Sequence, residues 1–325
     1  MKVSTAMVTG GAGFVGSHLG EVLARQNIET YVIDNFSTGS FENTSSFDRR
    51  LVHILRGDVR EILGLLPQTI GIDVVFHEAA IASVPRSVND PEGVHDVNVN
   101  MTLELMNFCV RRGIKRFVFA SSAAVYGKLG SDAAVETRFC RPASPYGAGK
   151  LAIENYLQAY EETFGLEPVM LRYFNIFGPR QRMSDYSGVI TIFVQNMLEG
   201  IQPTVMGDGM QTRDFVNVRD IVQANILAME SKNAVGEIFN VATGNTTTII
   251  QLYDTLKEII GDNVGYKFAP ARVGDVKDGK ASIDKIRSAL GYEPRITLRD
   301  GLIELVNYMQ QKRLSSTPAV SSGQS

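Results

Sequence analysis

The stretch TGGAGFVG, residues 9–16, decides the fold of this chain. Its glycines satisfy two overlapping fingerprints, G-x-G-x-x-G and G-x-x-G-x-x-G, through Gly10, Gly11, Gly13 and Gly16. An apolar run, VSTAMVT, precedes the stretch, and a helical pattern over 14–26 follows it. Glycine lets the backbone turn tightly and approach a pyrophosphate, which the helix N-terminus attracts. We therefore expect a dinucleotide-binding loop; the alternative is an ordinary tight turn from strand to helix.

Acidic residues follow the next two predicted strands. Asp34 ends ETYVID eighteen residues after Gly16, where a carboxylate accepts from the adenosine ribose 2′-hydroxyl and repels a 2′-phosphate. This spacing favours NAD over NADP. The alternative is that Asp34 is an ordinary acidic turn residue. Asp58, in RGDVR after the third strand, suits the adenine edge and a helix N-cap equally well.

Strand and helix patterns alternate along the first half of the chain. The predicted strands are VSTAMVT, ETYVID, LVHILRG, IDVVFHEA, KRFVFASS and EPVMLRYF. The predicted helices lie near 14–26, 60–66, 91–112 and 145–164. Because strands that are apolar on both faces need helices on both sides, this order predicts an α/β fold with a doubly wound parallel sheet.

The second half of the chain predicts a smaller α/β domain. After residue 174 a connector, GPRQRMSDYSG, leads to shorter elements. The strand IFNVA is expected to return to the main sheet, so each predicted domain consists of two separate segments of the chain. The Rossmann-type domain is expected over 1–173 plus roughly 214–244, the substrate domain over 174–213 plus roughly 245–313, and a disordered tail over 314–325.

Composition excludes several classes of protein. The 325 residues carry a formal net charge of -3 with 44% hydrophobic residues, an ordinary globular balance that argues against nucleic-acid binding. No apolar run reaches the roughly 18 residues of a membrane span, and the N-terminus lacks the pattern of a signal peptide. Two cysteines give no disulfide framework and four histidines show no metal-ligand spacing. A cytoplasmic protein with no metal and no membrane or nucleic-acid partner is expected.

Tyr146 and Lys150, in SPYGAGK, are one helical turn apart and share one face of a predicted helix. A neighbouring ammonium favours the phenolate, so Lys150 is expected to lower the pKa of Tyr146 and make it a usable base. Ser121 and Ser122 end the fifth predicted strand, at the sheet edge where ligands bind. A hydroxyl there can hydrogen-bond the oxygen that Tyr146 deprotonates. The alternatives are a surface helix pair and a serine-rich loop.

With GGAGFVG, Asp34, SSAAVYG (121–127) and YGAGK in this order, the chain resembles the extended short-chain dehydrogenase/reductase superfamily. More closely it resembles nucleotide-sugar epimerases of the UDP-galactose 4-epimerase type. The resemblance covers about residues 1–312. It implies a Rossmann domain that binds NAD tightly and a C-terminal domain that binds a UDP-sugar.

The resemblance also assigns roles to individual positions of this chain. It implies that Ser122, Tyr146 and Lys150 are catalytic, and that Ser122 and Tyr146 contact the substrate. The implied cofactor contacts are Gly10, Gly13, Phe14, Val15, Gly16, Asp34, Asn35, Asp58, Val59, Ala79, Ala80, Asn98, Lys150, Tyr173 and Phe174. The further implied substrate contacts are Asn175, Arg213 and Arg272 at the diphosphate, Asp275 at the nucleotide ribose, and the backbone of Val189.

The implied reaction is oxidation and return at C4 of a UDP-hexose. Family dehydratases and decarboxylases carry Thr-Asp-Glu or Thr-Ser-Glu where this chain has Ser122-Ala123-Ala124, so proton transfer at C5 lacks an obvious carrier. Epimerisation is favoured; the alternatives are a dehydratase or decarboxylase of the same fold and a non-catalytic NAD-binding module.

The choice of sugar stays open between UDP-glucose/UDP-galactose and their N-acetylated counterparts. Gly279 falls where some members of the family have a bulky tyrosine, and SVPRS (83–87) resembles the loop of members that act on N-acetylated UDP-hexoses.

A homodimer is also implied, in which the helices over 91–112 and 145–164 of two chains form a four-helix bundle. The apolar positions expected to be available for it are Leu103, Met106, Leu151 and Leu157.

Overall fold

The computed structural model of the chain describes residues 3–130, 132–182, 188–261, 264–271 and 279–316. Its strands are β1 (Thr5–Thr9), β2 (Glu29–Asp34), β3 (Val52–Arg56), β4 (Val74–His77), β5 (Arg116–Ser122), β6 (Glu167–Tyr173), β7 (Asn175–Phe177), β8 (Thr204–Met206), β9 (Thr212–Arg213), β10 (Phe215–Asn217), β11 (Ile238–Val241), β12 (Thr247–Thr248) and β13 (Lys267–Ala269). Its α-helices are α1 (Phe14–Arg25), α2 (Val59–Leu65), α3 (Val84–Asn89), α4 (Pro91–His95), α5 (Met101–Arg112), α6 (Pro145–Phe164), α7 (Val189–Leu198), α8 (Val218–Glu230), α9 (Ile249–Ile260), α10 (Asp284–Leu290) and α11 (Leu298–Ser316).

Seven of these strands form one parallel sheet in the order β11-β6-β5-β4-β1-β2-β3. The strand order reverses between β1 and β4, which creates the crevice where ligands of such sheets bind. The predicted doubly wound α/β fold of the Rossmann type is confirmed. The pairs β7–β10, β8–β13 and β9–β12 lie outside this sheet, and in the described ranges no helix is long and apolar enough to cross a membrane.

The two faces of the sheet bury separate apolar cores because alternate residues of a strand point to opposite sides. Along β1, Ala6 and Val8 join the core under α1 and α8, whereas Met7 joins the core under α2, α5 and α6. This arrangement explains why the strands are apolar at nearly every position. It also leaves the carboxyl ends of the strands free to bind a ligand.

The helix predicted over 91–112 is one continuous run with a change of pitch. Helix α4 passes through a π-helical turn at Asp96–Asn100 into α5. Such turns place one extra residue in the helix and are frequent at functional sites. Here the turn contains Asn98, a predicted cofactor contact.

Two of the positions expected to be available for dimerisation are not. Met106 and Leu157 are fully buried in the core beneath the sheet, because they face the sheet of their own chain. Leu103 and Leu151 are half-buried, and Tyr156 and Phe164 on α6 are exposed. The homodimer through these helices stays a prediction.

Two local expectations were wrong. The segment SVPRS, taken as a loop, begins the short helix α3, whose N-cap Ser83 accepts a hydrogen bond from the Arg86 N–H. Residues 314–316, expected to belong to a disordered tail, are instead the end of α11. Extending a formed helix costs little because nucleation has already occurred. Residues 317–325 lie outside the described residues.

A buried ion pair ties α6 to the sheet. The Arg172 guanidinium on β6 donates two hydrogen bonds to the Glu154 carboxylate, at 2.9 and 2.7 Å, and both side chains are buried. The Ser121 hydroxyl donates to the same carboxylate. Since Ser121 precedes Ser122 and Glu154 lies one turn after Lys150, this network holds the catalytic candidates of β5 and α6 in register.

We expect Arg172→Ala to lower the free energy of unfolding by about 3–5 kcal/mol, because it leaves the Glu154 carboxylate buried and unpaired. Urea denaturation followed by circular dichroism measures the change. The matched control is Arg287→Ala, which removes a pair with Glu293 whose side chains are 47% and 57% exposed and should cost at most about 1 kcal/mol. Equal losses in the two variants would contradict the structural role of the buried pair.

Candidate active site

A cleft of about 550 Å³ opens at the carboxyl edge of the parallel sheet. The glycine loop after β1, the segments after β2, β3 and β4, the end of β5 and the start of α6 form its walls. Of the predicted site residues, those on its lining are Gly10, Gly13, Phe14, Val15, Gly16, Asp34, Asn35, Asp58, Val59, Ala79, Ala80, Ser122, Tyr146, Lys150, Tyr173 and Phe174.

The glycine loop is folded so closely that side chains cannot enter it. Gly10 has φ +69°, and a Cβ there would lie 2.7 Å from the Ala79 backbone nitrogen. A Cβ on Gly16 would lie 2.4 Å from the Gly10 carbonyl oxygen, and one on Gly13 would lie 2.9 Å from it. The backbone of the glycine loop therefore borders the cleft at the N-terminus of α1, with no side chain from these glycines in between. This cradle fits a pyrophosphate, as the sequence predicts.

Asp34 closes the loop from the other side. Its carboxylate accepts hydrogen bonds from the Ala12 N–H at 2.9 Å and the Phe36 N–H at 2.7 Å. Burial raises the pKa of Asp34, and these two N–H donors oppose that rise. The carboxylate is thus fixed at the end of β2, in the place where it would meet the ribose hydroxyls of an adenine dinucleotide.

Asp58 is the N-cap that one of its two predicted roles requires, and its position is compatible with the other. It is the N-cap of α2, where its carboxylate accepts from the Arg60 N–H at 3.0 Å, and it also lines the cleft with Val59. The adenine contact itself stays a prediction.

Asn98 does not reach the lining of the cleft. Its side chain is buried, accepts from the Ile81 N–H at 2.8 Å and donates to the Ile81 carbonyl at 3.1 Å. It supports the Ala79–Ile81 segment from behind instead of contacting the cavity. The π-helical turn turns this side chain toward the backbone of that segment.

The hydroxyl groups of Tyr146 and Ser122 meet in the cleft, but the pKa of Tyr146 is raised and not lowered. Burial is the largest cause; the hydrogen bond with Ser122 lowers the pKa, and the charge of Glu78 raises it. The Ser122 hydroxyl also accepts from the Ala124 N–H at 3.2 Å, which fixes its position. Burial removes water from the phenolate, and the expected activation by Lys150 together with bound NAD stays a prediction.

The Lys150 ammonium points into the sheet edge. It donates to the Ala120 carbonyl at 2.7 Å and lies 6.0 Å from the centroid of the Tyr146 ring. Burial lowers the pKa of Lys150 to about 8, while the carboxylates of Glu78 and Glu154 oppose the change. The side chain is therefore a largely protonated buried cation at neutral pH.

Of the five further predicted substrate contacts, beyond Ser122 and Tyr146, three lie in the described residues and none of these three is on the lining of this cleft. Asn175 donates to the Asp214 carbonyl at 3.1 Å, Val189 is the first residue of α7, and Arg213 lies on β9. Arg272 and Asp275 fall outside the described residues. A Cβ on Gly279 would lie 3.1 Å from the Thr212 carbonyl oxygen and 3.6 Å from Arg213, so Gly279 lies beside the predicted diphosphate arginine.

Sequence reasoning assigned no role to several residues that line the cleft. They include Glu78, Ile81, Ala82, Arg86, Ile176 and Gln181. Gln181 lies in the GPRQ connector, and the Thr191 hydroxyl of α7 donates to its side chain. The position of Gln181 two residues after the Gly178-Pro179 pair was the one signal that could have indicated it. Glu78 ends the fourth predicted strand beside Ala79 and Ala80, but its surroundings come from other elements of the fold.

Comparison with known proteins agrees with this geometry. A model of the NAD dependent epimerase/dehydratase family matches residues 6–242. The chain belongs to this family. The resemblance that the motifs indicated is therefore confirmed, and so is NAD as the cofactor that the glycine loop and Asp34 are built to hold.

Individual members of the NAD dependent epimerase/dehydratase family are similar along nearly the whole chain. UDP-glucose 4-epimerase of Mycolicibacterium smegmatis is 34% identical over 310 residues, covering 94% of this chain and 98% of that protein. UDP-N-acetylglucosamine 4-epimerase of Methanobrevibacter ruminantium, solved with UDP-N-acetylmuramic acid, has a TM-score of 0.90 at 36% identity and covers 96% and 100%. UDP-glucose 4-epimerase of Thermus thermophilus, solved with NAD, has a TM-score of 0.86 at 35% identity and covers 94% and 99%.

We expect Gly16→Ala to lower the affinity for NAD at least about tenfold, because its methyl group would displace the Gly10 carbonyl that shapes the loop. The NAD content of the purified protein and the thermal shift on adding NAD measure this loss. Gly64→Ala is the matched control, since its methyl group on α2 would meet nothing within 4 Å. A Gly16→Ala protein that retains NAD like the wild type would contradict the proposed cradle.

Proposed function

We propose that this protein interconverts the C4 epimers of a UDP-hexose through a 4-keto intermediate. The observation that carries this proposal is the placement of Tyr146, Ser122 and Lys150 on the wall of the cleft onto which the glycine loop opens. NAD bound there supplies a hydride acceptor for C4 that later returns the hydride, and its positively charged ring favours the Tyr146 phenolate. The names of the similar proteins support the same reaction.

In this proposal Tyr146 is the base. Its phenolate accepts the proton of the sugar 4-hydroxyl and later returns a proton to the ketone oxygen after the sugar has turned over. Ser122, fixed by the Ala124 N–H, donates a hydrogen bond to the same oxygen. Lys150 contributes a positive charge beside the phenolate, which favours the ionised form. Because the proton leaves and returns at one oxygen, no further acid is needed.

The residues after Ser122 support epimerisation over dehydration. Ala123 and Ala124 form the turn that follows β5, at the positions where the resemblance places an acidic residue in dehydratases and decarboxylases. A methyl group cannot carry the C5 proton. The ketone therefore has no route to elimination through these two positions and is returned to an alcohol.

We propose further that the substrate side accepts both 2-hydroxy and 2-acetamido sugars. Gly279 carries no side chain where it packs against Thr212 and Arg213, and Arg86 from SVPRS reaches the cleft. Asn175, Val189, Arg213, Arg272 and Asp275 are proposed as contacts to the nucleotide diphosphate and ribose. The division of the chain into a Rossmann-type domain and a substrate domain over 174–213 plus 245–313 belongs to the same proposal.

We expect Tyr146→Phe to reduce the rate of epimerisation by about 10²–10⁴-fold while NAD stays bound, because only the proton acceptor is removed. Interconversion of UDP-glucose and UDP-galactose, followed by chromatography, measures the rate. The matched control is Tyr160→Phe on the same helix, whose hydroxyl bonds Asn107 outside the cleft and whose loss should leave the rate unchanged. An active Tyr146→Phe enzyme would refute the assignment of the base.

The range of sugars is tested by incubating the wild-type protein with UDP-glucose and with UDP-N-acetylglucosamine in parallel. We expect conversion of both to their C4 epimers without change in mass. Failure with the acetylated sugar would exclude the wide pocket and leave the epimerase proposal intact. Loss of water or of carbon dioxide from a suitable nucleotide sugar would instead identify a dehydratase or decarboxylase.

A further inference from the structure

The first residues of the connector between β7 and α7, residues 178–182, are fastened to the cofactor side of the cleft by contacts to which the mechanism above gives no part. We propose that Arg180 is a positioning residue: its ion pair with Glu21 on α1 holds the connector so that Gln181 forms part of the wall that retains NAD. The inference goes beyond the proposed function, because it concerns retention of the cofactor and does not depend on which nucleotide sugar reacts.

Two side chains of α1 hold the connector. The His18 ring donates through Nε2 to the Pro179 carbonyl at 3.1 Å, because a carbonyl oxygen can only accept. The Arg180 guanidinium donates to the Glu21 carboxylate at 2.5 Å. His18 and Glu21 are three residues apart and therefore share one face of the helix. Since that helix begins at the glycine loop, the connector is fixed to the element that shapes the pyrophosphate cradle.

A third contact fastens the connector to another segment of the cofactor side. The Arg182 guanidinium donates to the Ser37 carbonyl at 3.2 Å, and Ser37 lines the cleft in the segment that follows β2. Each of the three contacts joins residues that are at least 145 positions apart in the chain. The place of the connector beside the cradle is therefore set by tertiary contacts.

The backbone at Arg180 depends on these contacts. Its φ is +70°, in the left-handed region that residues other than glycine rarely adopt. Gly178 has φ +145°, and a Cβ there would lie 2.8 Å from Cγ1 of Val218, so the chain turns closely against the start of α8 before it reaches Arg180. A residue in such a conformation persists where its surroundings hold it. The pair with Glu21 and the bond from His18 to the preceding carbonyl hold it here.

The residue after Arg180 lies in the cleft. Gln181 lines the same cavity as the glycine loop. Its side-chain oxygen accepts from the Thr191 hydroxyl on α7 at 2.5 Å, and its amide nitrogen donates to the Ile176 carbonyl on β7 at 3.4 Å. Because an amide nitrogen carries two N–H groups, the second can serve a polar group bound in the cleft. Gln181 is thus held from both ends of the connector, and Arg180 sets where the connector lies.

The pair of Arg180 and Glu21 is shielded from solvent. The two side chains are 17% and 12% exposed, and the Ser46 hydroxyl donates to the same carboxylate. Water and salt compete less with a partly buried charged pair than with an exposed one. A second pair, Lys312 with Glu42, joins α11 to the segment after β2, but its side chains are 51% and 55% exposed. Because exposed pairs contribute little, this second pair supplies the matched control.

The test measures the rate at which NAD leaves the purified holoenzyme, with an added dehydrogenase that reduces the released NAD and reports it by absorbance. We expect Arg180→Ala to release NAD about tenfold faster than the wild type. Arg180→Lys keeps a cation for Glu21 and should recover part of that loss, whereas the control Glu42→Gln should release NAD at the wild-type rate. An Arg180→Ala protein that releases NAD as slowly as the wild type would overturn the inference.

A double-mutant cycle separates positioning from a general loss of stability. If Arg180 acts through Gln181, Gln181→Ala alone should speed the release of NAD, and adding Arg180→Ala should change the rate little further. Unchanged release from Gln181→Ala, or an equal effect of Arg180→Ala in both backgrounds, would count against the inference, because a residue that only supports the fold acts regardless of Gln181. If Arg180→Ala does not fold, Glu21→Gln removes the same charged pair and takes its place in the cycle.

The readout also separates this inference from the proposed function. A protein that interconverts no UDP-hexose but shows the expected pattern of NAD release would refute the proposed reaction and support the role of Arg180. An active epimerase in which the release of NAD is the same in all of these variants would do the reverse.

Discussion

The buried ammonium of Lys150 is the interaction on which the site depends. It bonds the Ala120 carbonyl at the end of β5, and it lies near Tyr146, Glu78 and Glu154. A cation without hydration is costly unless charges and dipoles replace the water. The sheet edge supplies them, and in doing so it gathers the proposed base Tyr146, its proposed partner Ser122 and a second acid around one positive charge.

The same packing serves stability and chemistry. Arg172 compensates Glu154 on the face of α6 that holds Lys150, and the Ser121 hydroxyl joins that pair while Ser122 faces the cleft. Strand alternation points these two side chains in opposite directions, although both residues border the cleft. A change in the buried pair would therefore shift the catalytic helix relative to β5.

Much of the fold and the cofactor side could be predicted from local patterns. The glycine spacing, Asp34 and the alternation of strands and helices indicate a parallel sheet with a nucleotide at its switch point, and each signal lies within a short segment of chain. Asn98 could not be placed in the same way, because its π-helical turn and its bonds to Ile81 depend on a distant segment. The sequence pattern left Met106 and Leu157 available for contact with a second chain, but in the structure both are buried against the sheet of their own chain.

By itself the sequence determined which groups are available for the proposed chemistry: the glycines that leave room for a pyrophosphate, the carboxylate proposed for a ribose, and a tyrosine one helical turn before a lysine. The tertiary structure alone decided their protonation. The pKa of Tyr146 depends on burial, on Ser122 and on Glu78, and these contributions come from β4, β5 and α6 together. Spacing along a chain sets which side chains can meet, whereas desolvation and charge depend on everything that surrounds them.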